Sequence, residues 1–420
     1  MTAPNRIMRA AMAFRSLRGR QRCHAIVAAG VLSVSAAGVA GCAKTPPARP
    51  KPTAEDIARL QLGSIMTWSP PDQRLGYAHI EKIGPTNRVR RSGTPGPLTF
   101  GSRSLSQFRY THNGRTRTVD EFMSALNVVG IIAVKDDAVL LERYADRHDG
   151  DTPWTAFSVV KSVTSLLYGV AIKNGHIRSL DEQVIAYLPE LAGSAYDGVT
   201  LRHLLQMASG VSWNSNLADK TSDTYRLPGV ERSGGFKALL TFMAAKPRVA
   251  PPGQKFIYNT ADADLAGAVL TRASKTSLAD YLTEFVWQPF GMESDAHWLT
   301  MRGESIEHGD CCLSATLRDY ARIGLFALRE GVGRDGARRL PDGWMAESTR
   351  PSSAFPGYGY YWWLRKGGGY FASGSFGQHI EVDPATRTVV AIQSYWPTAY
   401  SDELISHNDA FVATLIAALR

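Results

Sequence analysis

A serine and a lysine one helical turn apart are the residues of this chain whose spacing most directly indicates chemistry. Ser158 and Lys161 lie in the segment TAFSVVKSVTSLLYGVAIKNG. Residues three apart share one face of a helix, so the Lys161 amine would lie beside the Ser158 hydroxyl. The apolar neighbours exclude water, and desolvation lowers the pKa of a lysine. A lysine that is neutral, or nearly so, can take or relay the proton of a serine nucleophile.

The same spacing is also typical of an ordinary helix start. Ser158 would then be the N-cap, and Lys161 would extend its ammonium outward. S-x-x-K occurs by chance in chains of this length. The catalytic interpretation therefore needs two more groups elsewhere in the chain: a second proton-handling side chain, and a second donor to accompany the Ser158 N–H in an oxyanion hole.

Two segments offer those groups. In PPGQKFIYNT, Tyr258 stands directly before a predicted helix, and beside Lys161 its hydroxyl could carry a proton to a leaving group. The alternative is a tyrosine that only packs. In GSFGQHI, the glycines allow a ligand to approach a strand closely, and the N–H of Gln378 could complete the oxyanion hole with that of Ser158. The alternative is a β-bulge without a ligand.

The N-terminus predicts export and anchoring. Residues 1–41 contain six arginines and no acid, and an apolar run ends in Val-Ala-Gly-Cys42, which resembles the lipobox of bacterial lipoproteins. The resemblance implies a signal peptide over residues 1–41 and a lipidated Cys42 that holds the protein on the outward side of a membrane. An uncleaved N-terminal anchor is the alternative. Residues 42–56 are proline-rich and are predicted to be an extended tether.

Charge and cysteine content exclude several classes of function. Without the six arginines of residues 1–41 the net charge falls from +9 to +3, and no basic stripe with interleaved aromatics remains, so we expect no nucleic-acid partner. Cys311 and Cys312 are adjacent, a spacing that rarely forms a disulfide, and they are expected to be two small, partly buried thiols. His308 and Asp310 beside them are too few for a metal site, so we expect no metal and no cofactor.

The order of predicted elements indicates an α+β fold. Residues 128–146 have the alternation of two strands around a turn at Asp136 and Asp137, and residues 358–420 return to strands and a terminal helix. Between them lie predicted helices at 180–193, 199–210, 260–274, 278–285 and 314–329, and a polar loop at 211–235. Strands at both ends and helices between predict one antiparallel sheet flanked by helices, with a helical domain beside it.

Seven segments, in order, resemble the serine β-lactamase-like superfamily over roughly residues 120–400. They are SVVKS with the following TSLLYGVAIKNG, YLPELAG, LRHLLQMASGVSW, PPGQKFIYNT, CCLSATLRDYARIG, YGYYWW and SGSFGQHIEVDP. The superfamily includes class C β-lactamases and penicillin-binding peptidases, and the branch most similar to this chain is that of the 6-aminohexanoate-dimer (nylon oligomer) hydrolases.

The resemblance implies roles for the residues already named. Ser158 would be the acylated nucleophile, Lys161 its proton partner, Tyr258 the general base and then acid, and the N–H groups of Ser158 and Gln378 the oxyanion hole. Two departures stand out. The superfamily's Tyr-x-Asn is replaced by Tyr258-Asn259-Thr260, and its Lys-Thr-Gly by Ser375-Phe376-Gly377.

The missing lysine bears on the substrate. That lysine would hold the carboxylate of a β-lactam, a contact of about 1.5–3 kcal/mol, and Phe376 cannot replace it. His379, Arg365 or Lys366 could. Further predicted substrate contacts are Trp213, Asn214, Tyr225, Asn259 and Phe376.

The sequence therefore predicts an exported bacterial lipoprotein that is a serine hydrolase, an amidase or esterase, of small linear amides or esters. The alternatives are a β-lactamase or D,D-carboxypeptidase and a non-catalytic ligand-binding lipoprotein. The predicted domains are an N-terminal extension at 57–119, a sheet domain at 120–175 and 305–420, and a helical domain at 176–304.

Overall fold

The computed structural model describes residues 52–145, 148–216, 219–301 and 305–420. The predicted signal peptide, the predicted lipidation site Cys42 and most of the tether lie outside these residues. Residues 54–56 of the predicted tether form a short helix together with residues 57 and 58, and Thr53 caps it. Among the described residues, no helix is both long and apolar enough to span a bilayer.

A seven-stranded sheet forms the centre of the molecule, in agreement with the predicted α+β class. Its strand order is β10-β11-β12-β13-β5-β6-β2, and every neighbouring pair is antiparallel except β2 with β6. Asp136 and Asp137 both have positive φ at the β5–β6 turn, the backbone that a tight hairpin requires. The described strands are β1 (Thr86–Val89), β2 (Thr99–Phe100), β3 (Arg109–His112), β4 (Arg115–Thr118), β5 (Val128–Lys135), β6 (Ala138–Tyr144), β7 (Trp154–Thr155), β8 (Ala296–Leu299), β9 (Leu313–Ala315), β10 (Trp363–Leu364), β11 (Tyr370–Gly374), β12 (Gln378–Asp383) and β13 (Thr388–Ser394).

Helices cover both faces of this sheet, which explains why β5 is apolar at nearly every position. The described helices are α1 (Ala54–Ala58), α2 (Pro70–Tyr77), α3 (Ile80–Ile83), α4 (Val119–Ala125), α5 (Val159–Lys173), α6 (Leu201–Leu205), α7 (Asp223–Ala244), α8 (Thr260–Ser274), α9 (Leu278–Leu282), α10 (Gln288–Phe290), α11 (Leu317–Leu328), α12 (Trp344–Ser348) and α13 (Asp402–Ala418). Side chains of successive strand residues point to opposite faces. Ile132 and Val134 belong to the core with α5 and α11, and Ile131 and Ala133 to a second core with α4 and α13.

A second, four-stranded sheet of order β1-β8-β9-β7 leads to the nucleophile segment. Strand β7 pairs with β9 through Trp154 and Ala315, and α5 begins four residues after β7 ends. Strand β8 lies inside 176–304, so the end of that stretch is not helical; the domain boundaries themselves stay a prediction.

Several predicted elements differ from the observed ones. The predicted polar loop at 211–235 is wrong in its second half, because α7 begins at Asp223 and continues across a kink at Gly234 and Gly235. Pro228 and these glycines disfavour a helix locally, and buried contacts of Leu227 and Phe236 with the core override that preference. The predicted helices at 180–193 and 199–210 are reduced to the single turns Val184–Ala186 and Pro189–Leu191 and to α6.

Candidate active site

Ser158 lies at the sharp turn between β7 and α5. Phe157 directly before it has φ +49°, a left-handed backbone that is costly for a bulky residue and that the surrounding packing must hold. The Phe157 ring packs edge-on against Tyr77, with the two centroids 5.0 Å apart. The Ser158 side chain makes no capping hydrogen bond, so the alternative of an ordinary N-cap is not what the structure shows.

Lys161 points inward to Ser158. Its side chain is only 1% exposed, and its Nζ donates to Ser158 Oγ at 3.0 Å, to the Asp310 carbonyl oxygen at 3.1 Å and to Asp310 Oδ2 at 3.4 Å. The alternative in which Lys161 extends into solvent is therefore wrong. A lysine ammonium has three N–H donors, and the Ser158 hydroxyl and the two Asp310 oxygens are three acceptors for them.

The protonation state of Lys161 differs from the sequence expectation. Burial by itself lowers its pKa, but the electrostatic interactions of Lys161 with Tyr258, Asp310 and Asp264 outweigh burial, and the pKa of Lys161 is raised. Sequence reasoning included the desolvation but had no means of finding the carboxylates, which come from α8 and from the segment before β9. Lys161 is consequently a cation at neutral pH, suited to orient the Ser158 hydroxyl and to stabilise an anionic neighbour.

Tyr258 faces the same ammonium. Lys161 Nζ lies 5.3 Å from the centre of the Tyr258 ring, and the ring stacks on Trp363 at 6.0 Å with 22° between the planes. Asn259 caps α8 by accepting from the Asp262 N–H, and this cap fixes the backbone next to Tyr258. Ser158, Lys161 and Tyr258, far apart in sequence, are thus brought together as predicted; their catalytic roles stay a prediction.

A cavity of about 650 Å³ opens beside Ser158 and Tyr258. The N-terminal extension supplies one apolar wall, which sequence reasoning missed because that segment shows no sustained periodicity. Helix α7 supplies another wall, and the segment before β9 supplies the end. The residues that line the cavity in these three parts are Gln61, Leu62, Gly63, Ile65, Met66, Ile83, Gly84 and Pro85; Thr224, Leu227, Pro228, Glu231 and Arg232; and Leu299, Thr300, His308, Asp310, Cys311 and Cys312.

The end of the cavity is acidic. His308 Nδ1 lies 3.7 Å from Asp264 Oδ1, 3.9 Å from Glu231 Oε1 and 3.9 Å from Asp310 Oδ1. Burial lowers the pKa of His308, but these three carboxylates outweigh it and raise the pKa to about 10. Burial also raises the pKa of Glu231, to about 7, and that of Asp264 well above its usual value. Both oxygens of Asp264, and Oε1 of Glu231, are buried without a hydrogen-bond partner.

Part of this cluster has the composition of a metal site. Donor atoms of Glu231, Asp264 and His308 lie within 4.8 Å of one another. Carboxylate and imidazole groups suit several divalent metals. The cluster also suits an organic ammonium. A buried carboxylate oxygen that lacks a hydrogen-bond partner is stabilised by a cation that reaches it. The expectation of no metal stays a prediction.

The last predicted segment places different residues at the cavity than expected. Ser375 lines it, whereas Gln378 and Phe376 do not. The Phe376 ring is buried 5.3 Å from that of Phe157, and the Gln378 amide donates to the Ser394 carbonyl at 2.7 Å. A β-carbon on Gly374 would overlap the Ala156 carbonyl oxygen, so a glycine there lets β11 reach the serine turn.

The remaining predicted substrate contacts do not line this cavity, and their part in substrate binding stays a prediction. Trp213 is buried and donates to Thr224 Oγ1 at 3.0 Å, and Tyr225 is exposed on the outer side of α7. Asn214 does not line the cavity, and Asn259 is fully buried in its capping contact. The lining residues of the same region are their neighbours Ser215 and Thr224, and Thr260 beside Asn259. For Thr224 and Tyr225, the helix in place of the expected loop explains the shift of one position.

The cations proposed to replace the missing lysine are engaged elsewhere. His379 contacts Glu381 at 2.9 Å, and Arg365 bonds Glu381 and Asp409. Lys366 is exposed and does not line the cavity. Arg232, which sequence reasoning did not consider, lines the cavity one residue after Glu231.

Cys311 and Cys312 form a disulfide, with their Cα atoms 3.7 Å apart. The expectation of two free thiols is therefore wrong. Cys312 has φ +70°, a left-handed backbone that an adjacent pair can adopt to close the small ring. Both cysteines line the cavity.

Comparison with known proteins agrees with the fold. A model of the beta-lactamase family matches residues 115–403, most of the chain. The chain belongs to the β-lactamase family.

Two relatives and one solved structure show which proteins this chain is similar to. The chain is similar to 6-aminohexanoate-dimer hydrolase of Paenarthrobacter ureafaciens, with 26% identity over 78% of this chain and 86% of that protein. Esterase EstB of Burkholderia gladioli is 30% identical over 41% of this chain and 48% of the esterase. A solved Bacillus anthracis structure assigned as a 6-aminohexanoate-dimer hydrolase has a TM-score of 0.73 at 21% identity, over 83% of this chain and 94% of that one. Within the β-lactamase family, the chain is thus similar to 6-aminohexanoate-dimer hydrolase and to an esterase.

Proposed function

We propose that this protein is an exported, lipid-anchored serine hydrolase that cleaves small linear amides or esters through an acyl-enzyme. The observation that carries the proposal is the 3.0 Å contact of the buried Lys161 Nζ with Ser158 Oγ at the wall of a cavity that Tyr258 also lines. Family membership supports hydrolysis in general, and the site chemistry supports the finer assignment.

The proposed reaction has two halves. In the first half Tyr258 acts in its deprotonated form, which the Lys161 ammonium stabilises. Ser158 Oγ attacks the substrate carbonyl carbon while its proton passes to the Tyr258 oxygen, and the carbonyl oxygen becomes the oxyanion of the tetrahedral intermediate. The tetrahedral intermediate collapses when Tyr258 returns the proton to the leaving amine or alcohol. A water molecule then attacks the acyl-serine by the reverse sequence of proton transfers, which releases the acid and regenerates Ser158.

The oxyanion hole is proposed from the backbone N–H groups of Ser158 and Ser375. Ser375 replaces Gln378 in this role because it lines the cavity beside the serine turn. The absent side chain of Gly374 allows that approach. A pair of preorganised N–H donors typically contributes the largest electrostatic share of such catalysis.

The cavity wall supports a substrate with an aliphatic body and a charged end. Leu62, Ile65 and Met66 offer an apolar surface, whereas Glu231 offers a buried carboxylate. A primary ammonium near Glu231 would satisfy an oxygen that has no hydrogen-bond partner. Arg232 beside it could hold a carboxylate. An amide or ester of an ω-amino acid has all three features.

Three substrates distinguish the proposal from its rivals. Purified protein and a Ser158→Ala control are mixed separately with a nitrophenyl ester, 6-aminohexanoate dimer and a chromogenic cephalosporin. We expect turnover of the ester or the dimer, abolished in the control. Cephalosporin turnover at a comparable rate would instead indicate a β-lactamase or peptidase. No turnover and no adduct of Ser158 with a serine-directed phosphonate would indicate a ligand-binding lipoprotein.

The anchor is tested separately. We expect the full chain to fractionate with membranes and the Cys42→Ser chain to lack the lipid mass. An unlipidated wild-type protein would contradict the proposed lipoprotein.

A further inference from the structure

The Cys311–Cys312 disulfide lies between the substrate cavity and the segment that holds Lys161. Both cysteines line the cavity; Cys312 is nearly buried, and Cys311 is partly exposed. The residue directly before Cys311 is Asp310, whose carbonyl and carboxylate oxygens both accept from Lys161. The disulfide is therefore one peptide unit from a group that contacts the nucleophile's partner.

The segment is fixed on both sides of the disulfide. Before it, the Gly309 carbonyl accepts from Thr164 Oγ1 at 2.7 Å, and Gly309 approaches Gly267 of α8 closely enough that a β-carbon on either would overlap the other. After it, the Cys312 carbonyl accepts from the Leu299 N–H at 3.1 Å. Between these anchors, the Cys311 carbonyl accepts from Trp298 Nε1 at 3.2 Å, and Asp310 contacts Lys161 twice and His308 at 3.9 Å.

Reduction would remove one of the constraints on those residues. A left-handed non-glycine residue such as Cys312 is disfavoured and persists only where its surroundings impose it. Without the ring, no covalent constraint holds Cys312 in this conformation, and the backbone from Asp310 to Cys312 keeps only its hydrogen bonds with Lys161, Trp298 and Leu299. Its departure would move the Asp310 oxygens relative to Lys161, whereas Asp264 and Tyr258 would keep their positions on α8 and before it.

We propose that Cys311–Cys312 is a thiol–disulfide exchange site that small dithiols reach through the substrate cavity, and that its reduction lowers hydrolysis by displacing Asp310 from Lys161. The second half of the proposal rests on the hydrolase function proposed above. The first half does not, because it concerns only the cysteines and their access. The disulfide is thus a positioning element, and neither sulfur takes part in the acyl transfer.

The exchange is balanced by the dithiol itself. One thiolate of the dithiol attacks a sulfur of the pair, the Cys311–Cys312 bond breaks, and a mixed disulfide forms. The second thiol of the reagent displaces the remaining cysteine. The reagent ends as a cyclic disulfide, the protein gains two electrons and two protons, and two cysteine thiols result.

Access is tested by mass spectrometry on the full chain in its native state. The protein is treated with dithiothreitol or with reduced thioredoxin, then alkylated, digested and mapped at the peptide that holds Cys311 and Cys312. We expect no alkylation before treatment, double alkylation after dithiothreitol, and no more than background after thioredoxin. Alkylation of the untreated protein, equal reduction by thioredoxin, or resistance to dithiothreitol until the protein unfolds would each overturn the exchange site.

The effect on Lys161 is tested by kinetics after the same treatment. Displacing a positioning group by about 1 Å can cost up to about 100-fold in rate, so we expect kcat/KM for a nitrophenyl ester to fall at least about tenfold and to recover on reoxidation. The alkaline limb of kcat/KM should move to lower pH, because the Lys161 ammonium loses a carboxylate. A Cys311→Ala/Cys312→Ala chain should have the kcat/KM and the pH profile of the reduced enzyme, and dithiothreitol should change neither.

The two proposals fail in different ways. Unchanged kcat/KM and an unchanged pH profile in fully reduced protein would overturn the positioning role while the hydrolase stands. Absence of any turnover or phosphonate adduct at Ser158 in the oxidised protein would overturn the hydrolase and, with it, the positioning role. The alkylation pattern still decides the exchange site in that case. Circular dichroism of the double-alanine chain separates a displaced loop from a failure to fold.

Discussion

Lys161 and Asp310 are bonded twice, through the Asp310 carbonyl oxygen at 3.1 Å and its carboxylate at 3.4 Å. The pair is buried, and its charges stabilise each other in an environment where an unpaired ammonium would be costly. This relationship explains how a lysine inside an apolar helix keeps its proton. It also makes Asp310 a residue that acts on the nucleophile through Lys161.

The first prediction concerns that carboxylate. Asp310→Asn removes one negative charge but keeps the backbone carbonyl contact, so Lys161 should lose its proton at lower pH. We expect kcat/KM for a nitrophenyl ester to fall about tenfold or more, with the alkaline limb of the pH profile shifted to lower pH. Stopped-flow acylation from pH 6 to 10 measures both. Asp335→Asn, which loses only a surface contact with Arg339, is the matched control.

An unshifted alkaline limb in Asp310→Asn would contradict the role of Asp310. It would mean that Asp264 and Tyr258 alone decide the charge of Lys161.

The second prediction is a pH dependence that only amino-bearing substrates show. Glu231 has a pKa raised to about 7, so its carboxylate appears as the pH rises through neutrality. An ammonium substrate gains a charge-assisted contact from that carboxylate, worth about 1.5–3 kcal/mol or roughly ten- to a hundredfold. We expect kcat/KM for 6-aminohexanoate dimer to rise between about pH 6 and pH 8 more steeply than that for an uncharged nitrophenyl ester.

Glu231→Gln provides the control for this effect. Its glutamine keeps the volume but not the charge, so the dimer should lose about tenfold or more in kcat/KM and the neutral ester little. Equal losses for both substrates would show that Glu231 supports the fold of α7 and does not select an ammonium.

The third prediction concerns metal. Donor atoms of Glu231, Asp264 and His308 are close enough to bind a divalent cation, yet the proposed reaction uses none. We expect elemental analysis to find less than stoichiometric zinc, and prolonged chelation to leave ester turnover unchanged. Added Zn²⁺ should inhibit cleavage of the dimer more than that of the neutral ester, because it would occupy the acidic end of the cavity. Loss of ester turnover on chelation, restored by one metal, would contradict this.

The sequence predicts contacts between residues that are close along the chain, but not contacts between distant segments. The contact of Ser158 with Lys161 follows from helical spacing, and the β5–β6 hairpin follows from alternation and two turn residues. The acidic end could not be found in this way, because Glu231, Asp264 and His308 come from three segments whose approach is decided by tertiary packing. The apolar wall was missed for the same reason, since Leu62, Ile65 and Met66 lie in an irregular stretch.

The segment GSFGQHI places Ser375 at the cavity, three positions before the predicted Gln378. GSFGQHI is correctly predicted to reach the site, but the three-residue turn Ser375–Gly377 rotates Phe376 into the core behind Phe157. The left-handed φ of Phe376, +61°, produces that rotation, and nothing in the residue type predicts it. Because the turn interrupts the strand, Ser375 lies at the cavity. An unbroken strand would have placed a later residue there.

The fourth prediction tests the approach of this segment to the nucleophile. In Gly374→Ala the new methyl would overlap the Ala156 carbonyl oxygen, so β11 must shift away from the serine turn and carry the Ser375 N–H with it. Loss of one oxyanion donor costs about 100- to 1,000-fold in kcat. We expect that loss in kcat for a nitrophenyl ester, with KM changed much less and with a native circular dichroism spectrum. Gly93→Ala, where the structure leaves open space, should retain full activity. A Gly374→Ala enzyme that acylates at the wild-type rate would place the second oxyanion donor elsewhere than in the 374–378 segment.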